Sequence, residues 1–417
     1  MLMSENENKF DVIVVGGGPG GSTTASFLSK NGVKVLLLDK ASFPRDKTCG
    51  DAIGRRCESV MKELGIPRAV EKVPHAKIFG VTFSAPNGKI AEIGIPKGRA
   101  SDYSYCARRE VFDNVLFQFA KKQENVETLE QFMVTDVLKE KKGGEEFVVG
   151  VRGTDLKSKK EIEFRAKVVV GADGALSVVA RKLGLNEVDL PHHCVAVRAY
   201  YDGVEGLTDK IEIHFVESSM PGYFWIFPVE DGKANVGIGM LSNEITERGI
   251  KLQELMFKVI ENEPMFRERF RNAKLVSDVK GWTLPLGSKE RKSYGNGFVL
   301  VGDAASLIDP FSGEGVGNAM IAGRIAAGTI AKAMQPDDFS ENVLEGYHTQ
   351  LWKELGPELK ISYRLQRLGK NKILLNWIVG KASRSKKVAE TLSGMLVDEV
   401  PKQQLANPLF YLRLLLS

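Results

Sequence analysis

The sequence predicts an α/β fold in which a discontinuous dinucleotide-binding domain carries an inserted antiparallel-sheet domain and is followed by a helical region. Three observations lead to this prediction. A buried strand, a glycine-rich turn and a helix open the chain, and two more strands that run into glycine-containing turns follow much later. The segments between these turns alternate polar and apolar residues and contain hairpin signals, which indicates a second, antiparallel sheet.

The composition is that of a globular protein with a sizeable core. Of the 417 residues, 43% are hydrophobic and 27% are charged, and the net charge is +5. This charge is too small to indicate nucleic-acid binding, although it is compatible with an anionic membrane surface. The polar start MLMSENENKF is unlike a signal peptide, and no apolar run is long enough to span a bilayer. We therefore expect a cytoplasmic protein, at most peripheral at the inner membrane surface.

The four cysteines, Cys49, Cys57, Cys106 and Cys194, do not form a Cys-x-x-Cys pair. No histidine cluster has metal-ligand spacing, so we expect no metal site. A disulfide framework is not expected in a chain that is this long and this poor in cysteine.

The amino-terminal motif is typical of a Rossmann-like nucleotide site. Residues 10–15 predict a buried parallel strand, residues 22–30 a helix, and residues 34–38 a second strand. Three glycines between strand and helix permit a tight turn, close approach of a pyrophosphate and close packing, and the helix start attracts the phosphates. An acid at the end of the second strand can accept hydrogen bonds from ribose hydroxyls. The predicted nucleotide contacts are Gly16, Gly18, Pro19, Gly20, Gly21, Asp39 and Lys40.

Two later segments bear on the choice of nucleotide. A strand at 167–170 leads into Gly171-Ala172-Asp173-Gly174, with Ser177 and Arg181 following. A strand at 297–301 leads into Gly302-Asp303-Ala304-Ala305, and a Gly-x-Gly-x-Gly turn at 313–317 precedes a helix at 321–333. On these motifs the chain resembles the flavoprotein group of aromatic hydroxylases, halogenases and prenyl reductases.

This resemblance implies that the nucleotide is FAD. Asp303 matches the aspartate that bonds the ribityl chain in that group, and Arg109 matches the arginine that reaches the phosphates. The turn at 315–318 matches the helix start that faces the flavin, where N–H groups can hold negative charge. The further cofactor contacts that the resemblance implies are Cys49, Gly50, Arg109, Val134, Asp173, Gly174, Gly302, Asp303, Gly315, Val316, Gly317 and Asn318.

The wide spacing of these motifs predicts a discontinuous Rossmann-like FAD-binding domain built from residues 1–75, 102–186 and 275–335. Residues 76–101 and 187–274 are predicted to form the antiparallel-sheet substrate domain, with a hairpin turn at Asp231-Gly232. Residues 336–417 are predicted to form a helical C-terminal region.

An aromatic strand gives the best indication of the substrate. Tyr223, Trp225 and Phe227 are two residues apart and so share one face of a strand, and Gly237 and Gly239 lie on the next strand, where a ligand can approach closely. This Tyr-x-Trp-x-Phe-Pro pattern with Gly-x-Gly, and the loop from Cys49 to Gly54, resemble archaeal geranylgeranyl reductases of the digeranylgeranylglycerophospholipid reductase type. The alternative is that these rings are ordinary core.

The second resemblance implies reduction of isolated C=C bonds in the prenyl chains of membrane lipids or their precursors, by hydride from flavin N5 and a proton. It makes Cys49, Tyr223 and Trp225 candidate catalytic residues, and Tyr223, Trp225, Phe227, Gly237 and Gly239 candidate substrate contacts. Aromatic rings stabilise developing positive charge. Cys49 is either the proton donor or a packing residue. Reduced ferredoxin and NAD(P)H are the alternative electron donors.

Two questions stay open at this level. The first is whether the cations of the C-terminal region contact an anionic membrane or form a solvated face; they are Lys360, Arg364, Arg367, Lys370, Lys372, Lys381, Arg384, Lys386 and Lys387. The second is the reaction, for which an FAD-dependent aromatic monooxygenase and a flavin-dependent halogenase are the rivals. Halogenases usually show Trp-x-Trp-x-Ile-Pro, which this chain lacks.

Overall fold

The computed structural model describes residues 9–94, 103–385 and 388. The strands of these residues are, in chain order, β1 (Lys9–Val15), β2 (Val35–Asp39), β3 (Ala52–Ile53), β4 (Ala76–Ile78), β5 (Gly80–Ser84), β6 (Ile90–Gly94), β7 (Ser104–Cys106), β8 (Val126–Glu130), β9 (Phe132–Lys142), β10 (Glu145–Asp155), β11 (Glu161–Gly171), β12 (His193–Asp202), β13 (Ile211–His214), β14 (Tyr223–Pro228), β15 (Lys233–Leu241), β16 (Lys274–Leu275), β17 (Lys280–Pro285), β18 (Tyr294–Gly295) and β19 (Phe298–Leu300). The α-helices are α1 (Pro19–Lys30), α2 (Arg55–Leu64), α3 (Arg109–Lys121), α4 (Val178–Lys182), α5 (Ser242–Arg248), α6 (Leu252–Asn262), α7 (Pro264–Arg267), α8 (Val316–Ala333), α9 (Glu341–Leu368) and α10 (Lys372–Ala382).

The first sheet has the predicted α/β architecture. Its main order is β18-β19-β11-β1-β2-β8, and β10 and β9 continue it from β11. β1 is parallel to β2 and β11. The helix α1 connects β1 to β2, as a parallel pair that is adjacent in sequence requires a crossover. Val12, Ile13 and Val14 are fully buried, as expected of a strand covered on both faces. α1 packs against α3 and α8.

The second sheet has the order β16-β12-β15-β14-β13-β5-β6, with β17 also paired to β12. Its pairs are antiparallel except for β13 with β5. The strand β14 alternates strictly: Phe224 and Ile226 point into a core formed with α6 and Phe266, whereas the three aromatic residues of the predicted motif point to the other face. The hairpin predicted at Asp231-Gly232 joins β14 to β15.

Two strands pair with strands that the sequence assigns to the other domain. The rest of the predicted division into domains stays a prediction. β17 lies in the range assigned to the FAD-binding domain but pairs with β12 of the second sheet. β4 lies in the range assigned to the substrate domain but pairs with β7 in a small sheet that also contains β3. The physical reason is that the edges of β12 and β7 need partners for their backbone groups, and sequence ranges do not show which edge is nearest.

The C-terminal region is helical as far as the structure describes it. α9 runs along α8, and α10 packs on β6, where Val379 and Ala382 contact Ala85 and Ala91. The amide side chain of Asn371 caps α10 by accepting hydrogen bonds from the N–H groups of Ile373 and Leu374. The predicted helical range beyond Val388 lies outside the described residues. None of the described helices is both long enough and apolar enough to cross a bilayer.

Candidate active site and cofactor cleft

A cavity of about 1150 Å³ brings most of the predicted site residues together. Its wall contains the glycine turn before α1, the carboxyl end of β2, the aromatic face of β14, the turn before α8, and one side of α10. An ordinary ligand pocket measures roughly 300–1,000 Å³, so this cavity has room for a dinucleotide and a second ligand. Four of the predicted residues do not line it: Gly21, Gly237, Gly317 and Asn318.

The start of α1 is built to receive phosphate. Gly18, Pro19 and Gly20 line the cavity, and Gly18 caps the helix without any side-chain hydrogen bond. The first-turn N–H groups therefore face the cavity without a capping side chain. Gly16 has φ of +103°, and a Cβ there would lie 2.4 Å from the carbonyl oxygen of Ala172. Gly21 acts by packing, because a Cβ there would lie 1.8 Å from the carbonyl oxygen of Gly16.

The carboxylate of Asp39 lies at the end of β2, as the sequence predicts. It accepts hydrogen bonds from the N–H of Gly17 at 2.7 Å and from the N–H of Ala41 at 2.8 Å. These bonds fix its position at the cavity wall beside Lys40. A carboxylate has about four acceptor sites, so oxygen lone pairs remain for ribose hydroxyls.

Two arginines converge on one buried carboxylate near the glycine turn. Arg109 donates two hydrogen bonds to Asp113, of 2.7 and 2.8 Å, and Arg45 donates a third of 2.6 Å. These guanidinium groups hold the pKa of the Asp113 carboxyl below its usual value, against the effect of burial. A Cβ on Gly18 would lie 3.4 Å from Nη2 of Arg45, so this guanidinium lies beside the phosphate turn. The group carries a net positive charge, which suits a pyrophosphate.

Asp303 lines the cavity opposite a lysine that the sequence did not single out. Burial raises the pKa of the Asp303 carboxyl, while Lys47 and Arg109 act in the opposite direction. Burial also lowers the pKa of Lys47 to about 8, and its Nζ lies 3.8 Å from the centre of the Trp282 ring. Arg45 and Lys47 were missed because their only sequence signal is a place in the polar loop before Cys49.

Of the residues predicted at the turn before α8 and at its first positions, two line the cavity and two do not. Gly315 and Val316 line the cavity at the helix start. The N–H of Gly317, which was predicted to face the flavin, donates to Oε1 of Glu314 at 2.6 Å. The amide of Asn318 donates to the carbonyl oxygen of Leu307 at 2.8 Å. Both residues therefore brace the turn in this structure and do not line the cavity.

A buried hydrogen-bond network ties the Cys49 loop to the aromatic strand. The indole Nε1 of Trp225 donates to Oδ1 of Asn235, whose Nδ2 donates to the carbonyl oxygen of Cys49 and to Oδ2 of Asp51. The hydroxyl of Tyr200 donates to the same Oδ2 at 2.6 Å. Asp51 is fully buried, and burial raises the pKa of its carboxyl to about 6 despite these donors.

The aromatic wall lies directly on the predicted Gly-x-Gly strand. A Cβ on Gly237 would lie 2.2 Å from the Trp225 ring, so the room that this glycine provides is filled by the indole. Gly239 does line the cavity. The ring centres of Tyr223 and Trp225 are 6.0 Å apart, and the Tyr223 hydroxyl donates to the carbonyl oxygen of Ser312 at 2.8 Å.

Half-buried Cys49 lies in the same wall as these rings. Burial raises the pKa of its thiol, although the Arg109 guanidinium acts in the opposite direction. The thiol is therefore protonated at neutral pH. Gly50 brings the loop against the aromatic strand, because a Cβ there would lie 3.1 Å from the Phe227 ring.

Comparison with known proteins agrees with the chemistry of this cavity. The family model described as an FAD binding domain matches residues 9–350. FAD is thus the cofactor, and the residues that fit it are the uncapped helix start, the carboxylates of Asp39 and Asp303, and the two arginines around Asp113.

Among three similar proteins, two are named as reductases or reductase-like proteins and one is named as a chlorinase. A digeranylgeranylglycerophospholipid reductase of Methanosarcina acetivorans is 33% identical over 83% of this chain and 81% of its own length. A 1H-pyrrole-2-carbonyl peptidyl-carrier-protein chlorinase of Pseudomonas fluorescens is 27% identical over 87% of this chain and 85% of its own length. A solved geranylgeranyl bacteriochlorophyll reductase-like protein of Thermoplasma acidophilum shares the fold, with a TM-score of 0.82, 24% identity, and coverage of 96% of this chain and 99% of that one.

Replacing Arg45 with Gln should weaken FAD binding by about ten- to a hundredfold, because a charge-assisted hydrogen bond contributes roughly 1.5–3 kcal/mol. Arg109 would still hold Asp113 by two hydrogen bonds, so the fold should survive. Titration of apoprotein with FAD measures the affinity. Arg165→Gln is the control, since that side chain is exposed and pairs with Glu140. Equal affinities of the two variants would contradict a phosphate contact of Arg45.

Replacing Tyr200 with Phe should destabilise the protein in a pH-dependent way. The folded-state pKa of Asp51 is raised from 3.8 to about 6, so the folded protein binds the proton more tightly and stability falls as the pH rises through that window. Losing the Tyr200 hydroxyl raises this pKa further. At pH values above the folded-state pKa of Asp51, the substitution should lower the free energy of unfolding by roughly 1.5–3 kcal/mol. At pH values below that pKa, the decrease should be smaller.

Urea unfolding at about pH 5 and about pH 8 measures this difference. Tyr201→Phe is the matched control, because the neighbouring ring points into the core of the second sheet with Phe270. A loss for Tyr200→Phe that is the same at both pH values would show that the hydroxyl does not act through the Asp51 carboxylate.

Proposed function

Because the chain belongs to the FAD binding domain family and, within it, to the geranylgeranyl reductase group, we propose that it reduces isolated C=C bonds in the geranylgeranyl chains of membrane lipids or their precursors. The protein is an FAD-dependent oxidoreductase. The observation that supports a prenyl chain as the substrate is that the aromatic face of β14 borders the same cavity as the flavin motifs.

The distribution of polarity in the cavity supports a long apolar substrate. Its charged groups gather around the glycine turn and Asp303, as described above. Beyond the aromatic wall, the cavity continues between the edge of the second sheet and α10, past apolar side chains: Ile78, Phe83, Ile93, Ile213, Phe215, Leu374, Ile378 and Val379. Burial of a prenyl chain there contributes roughly 0.8 kcal/mol per methylene group.

The residues of the wall suit the needs of an isolated alkene. Bound FAD, when reduced, supplies hydride from N5. Positive character on the carbon that receives hydride is stabilised by ring faces, for which Tyr223 and Trp225 are placed 6.0 Å apart. The protonated thiol of Cys49 lies in the same wall and is the proposed donor of the proton to the other carbon.

The proposal includes two partners. The electron donor is reduced ferredoxin or NAD(P)H, and the prenyl-lipid substrate brings the protein to an anionic membrane, where it acts as a peripheral enzyme.

A flavin-dependent halogenase is the second candidate, and two observations favour it. One relative is a chlorinase, and Lys47 places an amine in the cavity wall, which is relevant because flavin-dependent halogenases usually have an active-site lysine. Against it, the aromatic strand carries Tyr223 and Phe227 where halogenases usually have Trp and Ile. An aromatic monooxygenase would require a polar pocket for a phenol, and the space beyond the rings is apolar.

Mass spectrometry of a geranylgeranyl phospholipid incubated with dithionite-reduced protein tests the proposal. We expect mass gains in steps of two hydrogens, and none with oxidised protein. Gain of a chlorine from NAD(P)H-reduced protein in oxygen and chloride would instead support the halogenase. No gain, together with oxygen-dependent NAD(P)H oxidation stimulated by an aromatic acid, would support the monooxygenase.

Replacing Cys49 with Ser should leave FAD bound but slow alkene reduction by about a hundredfold, because a hydroxyl is a weaker acid than a thiol. Single-turnover kinetics of the pre-reduced enzyme measure the step. Cys194→Ser is the matched control, since this thiol also borders the cavity but lies on β12. An unchanged rate for Cys49→Ser would contradict the role of proton donor.

A further inference from the structure

We propose that residues 368–373, which are the turn between α9 and α10 and the helix ends beside it, dock on an anionic lipid bilayer and form the mouth through which a lipid chain enters the cavity. We call these residues the docking turn. The inference rests on the proposed function, because the mouth is argued from a cavity that receives a membrane lipid.

The charge of this part of the chain is entirely of one sign. Residues 359–389 contain nine Lys and Arg and no Asp or Glu, although the whole chain has 58 basic and 53 acidic residues. Lys360, Arg364 and Arg367 are exposed and lie three to four residues apart, so they share one face of the last turns of α9. Lys370 and Lys372, which follow in the docking turn, are exposed as well, although each also pairs with a glutamate. Such a surface complements anionic headgroups.

Apolar side chains protrude from the middle of these cations. Ile373 is 76% exposed, and Leu368 is 41% exposed. A single exposed apolar residue is ordinary in a globular protein. Here two stand on one short turn framed by Lys and Arg, which is the composition of a segment that enters the interface of a bilayer.

The other side of the same turn belongs to the cavity. Leu368 and Gly369 line its wall, and so do Leu374 and Leu375 at the start of α10. The lining continues along α10 to Ala382. A lipid chain that leaves the bilayer at the docking turn would therefore enter the same cavity that the aromatic wall borders.

The docking turn is held in a fixed position. Asn371 caps α10 with two hydrogen bonds. Lys370 pairs with Glu244 at 2.9 Å and Lys372 with Glu217 at 2.8 Å, which ties the turn to α5 and to the connection between β13 and β14. A turn that is already ordered loses little conformational entropy when it docks.

Flotation of the full-length holoenzyme with vesicles tests the proposal. The protein should float with vesicles of phosphatidylcholine and phosphatidylglycerol in equal parts, and much less with phosphatidylcholine alone or at high salt. Ile373→Ser should weaken binding by about tenfold, because the exposed side chain loses its apolar burial. Arg364→Gln with Arg367→Gln should weaken it further at low salt. Val188→Ser, at a site that is 62% exposed, is the control and should float like the wild type.

The activity assay separates the mouth from the reaction. Ile373 does not line the cavity. The Ile373→Ser variant should therefore catalyse the reduction of a water-soluble short prenyl diphosphate at the wild-type rate. Its reduction of a vesicle-embedded geranylgeranyl phospholipid should be about tenfold slower than that of the wild type. If the wild type reduces neither substrate, the proposed function fails, while flotation still decides the docking.

Three results would overturn the inference. The wild type does not float with the anionic vesicles; Ile373→Ser floats as well as the wild type; or Ile373→Ser lowers the oligomeric mass in solution without changing flotation, which would make this face a contact between copies of the chain.

Discussion

The arrangement of the site depends on one buried carboxylate. Asp51 accepts hydrogen bonds from the N–H of Arg109, the hydroxyl of Tyr200 and the amide of Asn235. The first donor stands at the start of α3, and the other two belong to the second sheet. A buried carboxylate is costly unless donors surround it, so the two parts of the molecule can be brought together in few other ways. Through Asn235, the same network fixes the indole of Trp225.

This constraint places two chemically different regions along one cavity. The nucleotide end is polar and cationic, where Arg45 and Arg109 surround Asp113 next to the uncapped start of α1. The far end is apolar and is roofed by α10. A dinucleotide and a hydrocarbon chain have opposite solvation requirements, and the aromatic wall lies where the two regions meet. The rings provide apolar surface and also faces that stabilise positive charge.

The roof of the cavity lies in a stretch whose charge is all of one sign, because residues 359–389 contain Lys and Arg but no Asp or Glu. α10 shields the apolar end from water by packing on β6, and the docking turn exposes Ile373 among cations. Under the proposed function, this arrangement keeps the path of the hydrocarbon chain dry and opens it at a surface that suits lipid headgroups. None of the described helices could cross a bilayer, so a substrate in the bilayer would reach the cavity through such an opening.

Features that depend on neighbouring residues could be predicted from the sequence alone. The glycines around Gly18, the acid at Asp39 and the period-two alternation of β14 act over a few residues, so their patterns predicted the nucleotide fold, its carboxylate and the aromatic face. Which groups from distant parts of the chain meet depends on the tertiary fold. It brought Arg45 to the phosphate turn and Asp51 to Tyr200 and Asn235, it filled the space over Gly237 with an indole, and it turned Ile373 outward. These outcomes follow from contacts between segments far apart in sequence, and no local periodicity records them.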